Sequence, residues 1–207
     1  MDDFLSREVR AGPLGHYWFL TFEDKTTFLA RAEACQQHID PVYFEPTPIG
    51  GLHLTVDRIA RVGASTPGQR AAIVDAARPV LHQLASFTTT IGCVTNLRGA
   101  IGFVLEPAER IYALRDLLRT ATRSVLPDAA VKDSPTAPHV TIAYPKYEGL
   151  ETLAATTAEG IGTPLDSVEI AVSEAVMVAL ERYGHSYRWN TVARLRLGTA
   201  CRSQSAR

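Results

Sequence analysis

Leu52-His53-Leu54-Thr55-Val56 and Pro138-His139-Val140-Thr141-Ile142-Ala143-Tyr144 read as two versions of one strand. Each runs histidine, apolar, threonine, apolar, with β-forming residues around it. Side chains alternate faces along a strand, so His53 and Thr55 share one face and Leu54 and Val56 the other. The same rule pairs His139 with Thr141 against Val140 and Ile142. Each strand thus offers an imidazole and a hydroxyl side by side, anchored by an apolar face. Two such strands across one cleft would surround a small anion with two imidazoles and two hydroxyls.

His53-Leu54-Thr55-Val56 and His139-Val140-Thr141-Ile142 resemble the paired His-x-Thr/Ser-x motifs of the two-histidine phosphoesterase superfamily. That superfamily includes 2′-5′ RNA ligase-like proteins and 2′,3′-cyclic nucleotide phosphodiesterases. The resemblance extends from about His16 to about Gly198 and is strongest toward a bacterial branch of 2′-5′ RNA ligase family proteins. Stretches like His16-Tyr17-Trp18-Phe19-Leu20-Thr21-Phe22 and Tyr187-Arg188-Trp189-Asn190-Thr191-Val192-Ala193 recur there. It implies an α+β, bilobal fold: two similar lobes of antiparallel sheet, with outer helices, around a central cleft. It also implies His53 as proton donor and His139 as acceptor.

Outward from the motifs, the chain divides into a loose lead-in over 1–15, one bilobal domain over 16–198 and a polar tail over 199–207. His16 to Phe22 reads as the first strand. Phe28, Ala32, Cys35 and Ile39 mark one face of a helix over Lys25–Ile39, and a short strand follows near Val42–Glu45. Thr66-Pro67-Gly68-Gln69 is a helix start with a hydroxyl cap and a reciprocal glutamine. Pro79 should kink or divide that helix. Phe87–Val94 and Ala100–Leu105 form a hairpin joined by Thr95–Gly99. A helix opens at Pro107, with Ile111, Leu114, Leu118 and Val125 inward, and a weaker one covers Glu148–Glu159. Val168, Ile170, Val172, Val176, Val178 and Leu180 keep one parity through a long strand, bulged near Ser173–Ala175 at most. A turn at Tyr183-Gly184-His185 leads into a return strand. Helix, loop and histidine strand recur in each half. Strands interspersed with helices fit an α+β fold with the helices outside.

The 207 residues carry a net charge of −1, so no global basic field invites a long nucleic acid. An RNA partner would have to be held locally. Cys35, Cys93 and Cys201 are too widely spaced for a metal pair or a disulfide framework. The acidic start and the lack of a long apolar run lead us to expect a cytoplasmic protein with no membrane partner, working as a monomer.

Two histidines suit cleavage of a phosphodiester through a cyclic phosphate. A neutral imidazole takes a proton from the attacking oxygen, and an imidazolium returns one to the leaving sugar oxygen. Thr55 and Thr141 would donate to non-bridging phosphate oxygens. This chemistry calls for no metal and no cofactor. Of the aromatic residues, Trp18 and Tyr187 are the ones expected to hold a base. Strict alternation turns Arg58 and Tyr144 away from the histidines, as a surface charge and a packed aromatic. His16, His38, His82 and His185 lack a threonine partner and are expected to be structural or superficial. The leading expectation is a metal-independent phosphoesterase for a 2′,3′-cyclic phosphate or 2′-5′ linkage in a nucleotide or RNA end. The alternative is a binding module that uses the same cleft without turnover.

Overall fold

The computed structural model describes residues 11–129, 131, 136–161 and 167–199. In chain order the elements are β1 (Gly12–Thr21), α1 (Thr26–Gln36), β2 (Phe44–Pro46), a 3-10 turn (Ile49–Gly51), β3 (His53–Arg61), α2 (Pro67–Gln83), β4 (Phe87–Leu97) and β5 (Ala100–Glu106). They continue with α3 (Ala108–Val125), β6 (His139–Pro145), α4 (Glu151–Ile161), β7 (Val168–Val172), β8 (Glu174–Tyr183) and β9 (Ser186–Arg196).

The strands form two antiparallel sheets, one in the order β3-β1-β8-β9 and the other β2-β6-β5-β4-β7. Helices α2 and α3 cover the first sheet, and α1 and α4 the second. The lobes are therefore not the two halves of the chain. The hairpin β4–β5 follows the His53 strand in sequence but joins the His139 sheet, and β8–β9 returns from the far end to flank β1. Each lobe needs both halves, so neither half is expected to fold alone.

Local chemistry accounts for most of the elements. At the start of α2 the Thr66 hydroxyl accepts from the Gln69 N–H at 3.2 Å, and the Gln69 side chain accepts from the Thr66 N–H at 2.9 Å. Two otherwise unpaired backbone donors, one at the cap and one in the first turn, are satisfied by this reciprocal exchange. The helix runs undivided through Pro79. The proline ring lies on the exposed side, while Ile73, Ala77 and Leu81 hold the opposite side in the core. Phe28, Ala32, Cys35 and Ile39 are buried as their spacing predicts.

Several boundaries differ from expectation, three of them by more than a shift of a few residues at a helix end or in the short β2. β1 begins at Gly12, so residues 12–15 belong to the sheet rather than to a lead-in; residues 1–10 lie outside the described residues, as does the tail beyond Thr199. Gly15 accounts for the difference: its φ is +124°, and a Cβ there would collide with the Ala60 carbonyl oxygen. Glycine is required for β3 to approach β1, although its composition reads as loop. The expected strand through Val168 and Leu180 is two strands in different sheets, with β7 on β4 and β8 on β1. The chain crosses at Ser173 without breaking the parity of its valines, so alternation alone cannot reveal the change of partner. The β4–β5 connection is shorter than expected, a two-residue turn at Arg98-Gly99.

Candidate active site

His53 opens β3 and His139 opens β6. Both strands carry the same irregularity. On β3, Phe19 pairs with Thr55 and Trp18 with Asp57, leaving Val56 as the extra residue of a bulge. On β6, Gly102 pairs with Thr141 and Ile101 with Ala143, leaving Ile142 extra. A bulge resets the alternation. Val56 and Asp57 are both buried, as are Ile142 and Ala143. Arg58 and Tyr144 therefore turn to the same face as the histidine and threonine of their own strand, contrary to expectation. Gly102 makes the second bulge possible, because a Cβ there would collide with the Val140 carbonyl oxygen.

His53, Thr55 and Arg58 from one sheet and His139, Thr141 and Tyr144 from the other line a single cleft of about 430 Å³. The two imidazoles are held alike. The Nδ1 of His53 meets the carbonyl of Gly51 at 2.9 Å, and the Nδ1 of His139 meets that of Ala137 at 2.8 Å. A carbonyl can only accept, so each Nδ1 carries a proton and each Nε2 is the nitrogen whose protonation can change.

The environment of His53 is aromatic. Phe19 stacks on its ring at 4.2 Å and 14°, while Trp189 and Tyr187 meet it edge-on at 5.1 Å and 5.9 Å. This enclosure strips water from the ring and pushes its pKa down to about 4; the Gly51 carbonyl opposes that shift, and the charge of a protonated His139 adds to it. His53 thus rests neutral at neutral pH. Because the unfolded imidazole protonates near 6.5 and the folded one near 4, the unfolded chain binds more protons between those values. Folding stability should fall as the pH drops through this window. The loss attributable to His53, discounted for its partial exposure, is on the order of 2 kcal/mol. Urea midpoints at pH 7 and pH 4 should therefore lie farther apart in the wild type than in His53→Asn. Equal separations would remove His53 from the acid response.

Tyr144 is held by its neighbours. Its ring meets Tyr187 edge-on at 5.5 Å, its hydroxyl shares a hydrogen bond with that of Thr141, and burial pushes its pKa up. Arg182 donates to the Tyr187 hydroxyl at 2.7 Å, and Arg58 donates to the phenolic oxygen of Tyr17. Four arginines line the cleft: Arg58, Arg98, Arg115 and Arg182. Among the described lining residues the one carboxylate is Asp57, buried and held by Arg119 at 2.8 Å. A chain with a net charge of −1 thus concentrates positive charge where the histidines meet. Arg98, Arg115 and Arg182 carry no motif, and only the fold brings them to the cleft.

Tyr187 lines the cleft as expected, but Trp18 does not. Its neighbours Tyr17 and Phe19 take the cleft face, and Trp18 lies in the core, its indole N–H donating to the Thr122 hydroxyl on α3 at 3.1 Å. A base-stacking role for Trp18 is thereby excluded. Trp189 packs edge-on against His53 and is not among the residues that line the cleft. His16, His38, His82 and His185 lie outside the cleft. Among the described residues no group of His, Cys, Asp and Glu could hold a metal ion, and no helix is long and apolar enough to cross a membrane.

No family model and no curated protein sequence matches this chain. Solved structures do. The Escherichia coli LigT structure complexed with 3′-AMP is 19% identical, with a TM-score of 0.67 over 89% of this chain and 98% of that one. TT0787 of Thermus thermophilus is 17% identical, with a TM-score of 0.69 over 90% and 99%. A protein described as a phosphoesterase is 18% identical, with a TM-score of 0.67 over 90% and 99%. With two antiparallel sheets, outer helices and nearly full coverage in both directions, the chain has the LigT-like α+β fold, in the two lobes expected.

Proposed function

We propose that this protein is a two-histidine phosphoesterase that opens a 2′,3′-cyclic phosphate, or cleaves a 2′-5′ phosphodiester, in a nucleotide or at an RNA end. The observation that carries the reading is the doubled imidazole–hydroxyl pair. Each imidazole has its Nδ1 committed to a backbone carbonyl, and both line one arginine-rich cleft. The 3′-AMP of the LigT crystal fits this reading, since it carries a phosphate on one of the two ribose oxygens that a 2′,3′-cyclic phosphate bridges.

The proposed hydrolysis needs one neutral and one protonated imidazole. The neutral Nε2 takes a proton from water as its oxygen bonds to phosphorus. The bond from phosphorus to a ribose oxygen breaks, and that oxygen takes the proton of the second imidazolium. Thr55, Thr141 and Arg58 would carry charge on the non-bridging oxygens, and Tyr187 would flank the nucleoside. The family resemblance makes His53 the donor, whereas its enclosure makes it a ready acceptor in the free protein.

The test is a panel of 2′,3′-cyclic nucleotides and 2′-5′ dinucleotides in excess chelator, with kcat/KM followed across pH. Turnover should survive chelation, because the donor set offers no metal cluster among the described residues. Because one imidazole must be neutral and the other protonated, kcat/KM should pass through a maximum, falling below about pH 4, where both rings are protonated, and falling again at high pH, where both are neutral, whichever of the two is the donor. Loss of turnover in chelator with recovery on one divalent ion would overturn the metal-free reading. Binding without turnover at any pH would leave the cleft as a nucleotide-binding module.

A further inference from the structure

The β4–β5 turn adopts a conformation that its sequence does not favour. Arg98 and Gly99 have φ of 58° and 92°, the two positive values that a two-residue I′ hairpin turn demands. Glycine meets that demand freely, and asparagine tolerates it. A long side chain is held there against a steric penalty, the kind of outlier that clusters at functional sites. The turn is also fastened. The Asn96 side chain accepts from the Gly99 N–H at 2.7 Å and donates to the Glu151 carbonyl at 2.9 Å, tying the turn to the start of α4.

From this fixed base Arg98 lines the same cleft as the histidines, together with Leu97, Ala100, Tyr144 and Pro145. The register places Gly102 opposite Thr141, so the turn lies three residues farther along β5, roughly 10 Å from the Thr141 row at the rise of a strand. An arginine folding back spans much of that distance. The one lining carboxylate among the described residues, Asp57, is engaged by Arg119 and does not compete. A cation is thus presented about one nucleotide from the place proposed for the scissile phosphate.

We propose that Arg98 binds a second phosphate of the substrate, the one on the 5′ oxygen of the nucleoside whose reacting phosphate lies between His53 and His139. This rests on the phosphoesterase reading of the cleft and narrows it. The preferred substrate carries two phosphates, as an RNA end or a 5′-phosphorylated nucleotide does, and a simple cyclic mononucleotide is the poorer ligand.

Calorimetric binding tests the site without turnover. The probes are a nucleoside 3′-phosphate, the corresponding 3′,5′-bisphosphate, and a dinucleotide ending in the same 3′-phosphate, with its linkage either a phosphodiester or a neutral methylphosphonate. The variant is Arg98→Asn, which suits the turn and keeps the hairpin. Wild-type protein should prefer the second phosphate, and the variant should lose about tenfold of that preference. The methylphosphonate should erase the dinucleotide's advantage. Whichever of the bisphosphate and the dinucleotide loses more names the source of the phosphate. A wild type without preference, or a preference unchanged in Arg98→Asn, would overturn the proposal. Absence of turnover would instead sink the proposed activity while the affinity ratio still decided the role of Arg98.

Discussion

Replacing His53 or His139 with alanine is expected to lower kcat by about 10²–10⁴-fold, the contribution of a positioned general acid or base. Each imidazole lines the same cleft, and each is oriented by its own carbonyl, Gly51 for His53 and Ala137 for His139. Once one proton-transfer partner is gone, the other has little left to complete. The double variant should therefore be far less than multiplicatively worse than either single one. Thr55→Val and Thr141→Val, each removing one neutral donor, should cost less, about 10–10²-fold. Steady-state kinetics on a 2′,3′-cyclic nucleotide reads all of these. Near wild-type turnover in His139→Ala would end the two-histidine mechanism. Cooperative thermal unfolding of each variant would show that the fold survives.

Arg58→Gln should be the next most damaging change, at about 10²–10³-fold in kcat/KM, because it removes a charged donor aimed at the developing phosphate charge. Arg58→Lys should recover only part of the loss, since an ammonium is a point charge without the planar fork of a guanidinium. The equivalent position on the other strand holds Tyr144, a neutral donor already bonded to Thr141, so Tyr144→Phe should cost no more than about tenfold. The two strands thus share a geometry but divide the electrostatics: the cation sits on the His53 side. Equal losses for Arg58→Gln and Tyr144→Phe would mean that the charge of Arg58 is not aimed at the phosphate. That outcome would leave Arg58 with a structural role, as a partner of Tyr17.

The parts of this protein legible in its sequence are those governed by local chemistry. Thr66 and Gln69 form the reciprocal cap because the interacting groups are three residues apart. His53 with Thr55, and His139 with Thr141, share a face because nothing intervenes within two residues of a strand. Beyond that range the rule failed. Arg58 and Tyr144 reach the cleft through bulges at Val56 and Ile142, and a bulge belongs to a pair of strands rather than to one. Trp18 and Phe19 are both fully buried aromatics, and composition cannot say which of them faces α3 and which meets His53. β7 and β8 read as one strand because the valine parity continues across Ser173, while their partners lie in different sheets. The sequence by itself determined most of the strands, the helix cap and the paired motif. Tertiary pairing alone decided which side chains complete the cleft, because that depends on register against strands distant in the chain.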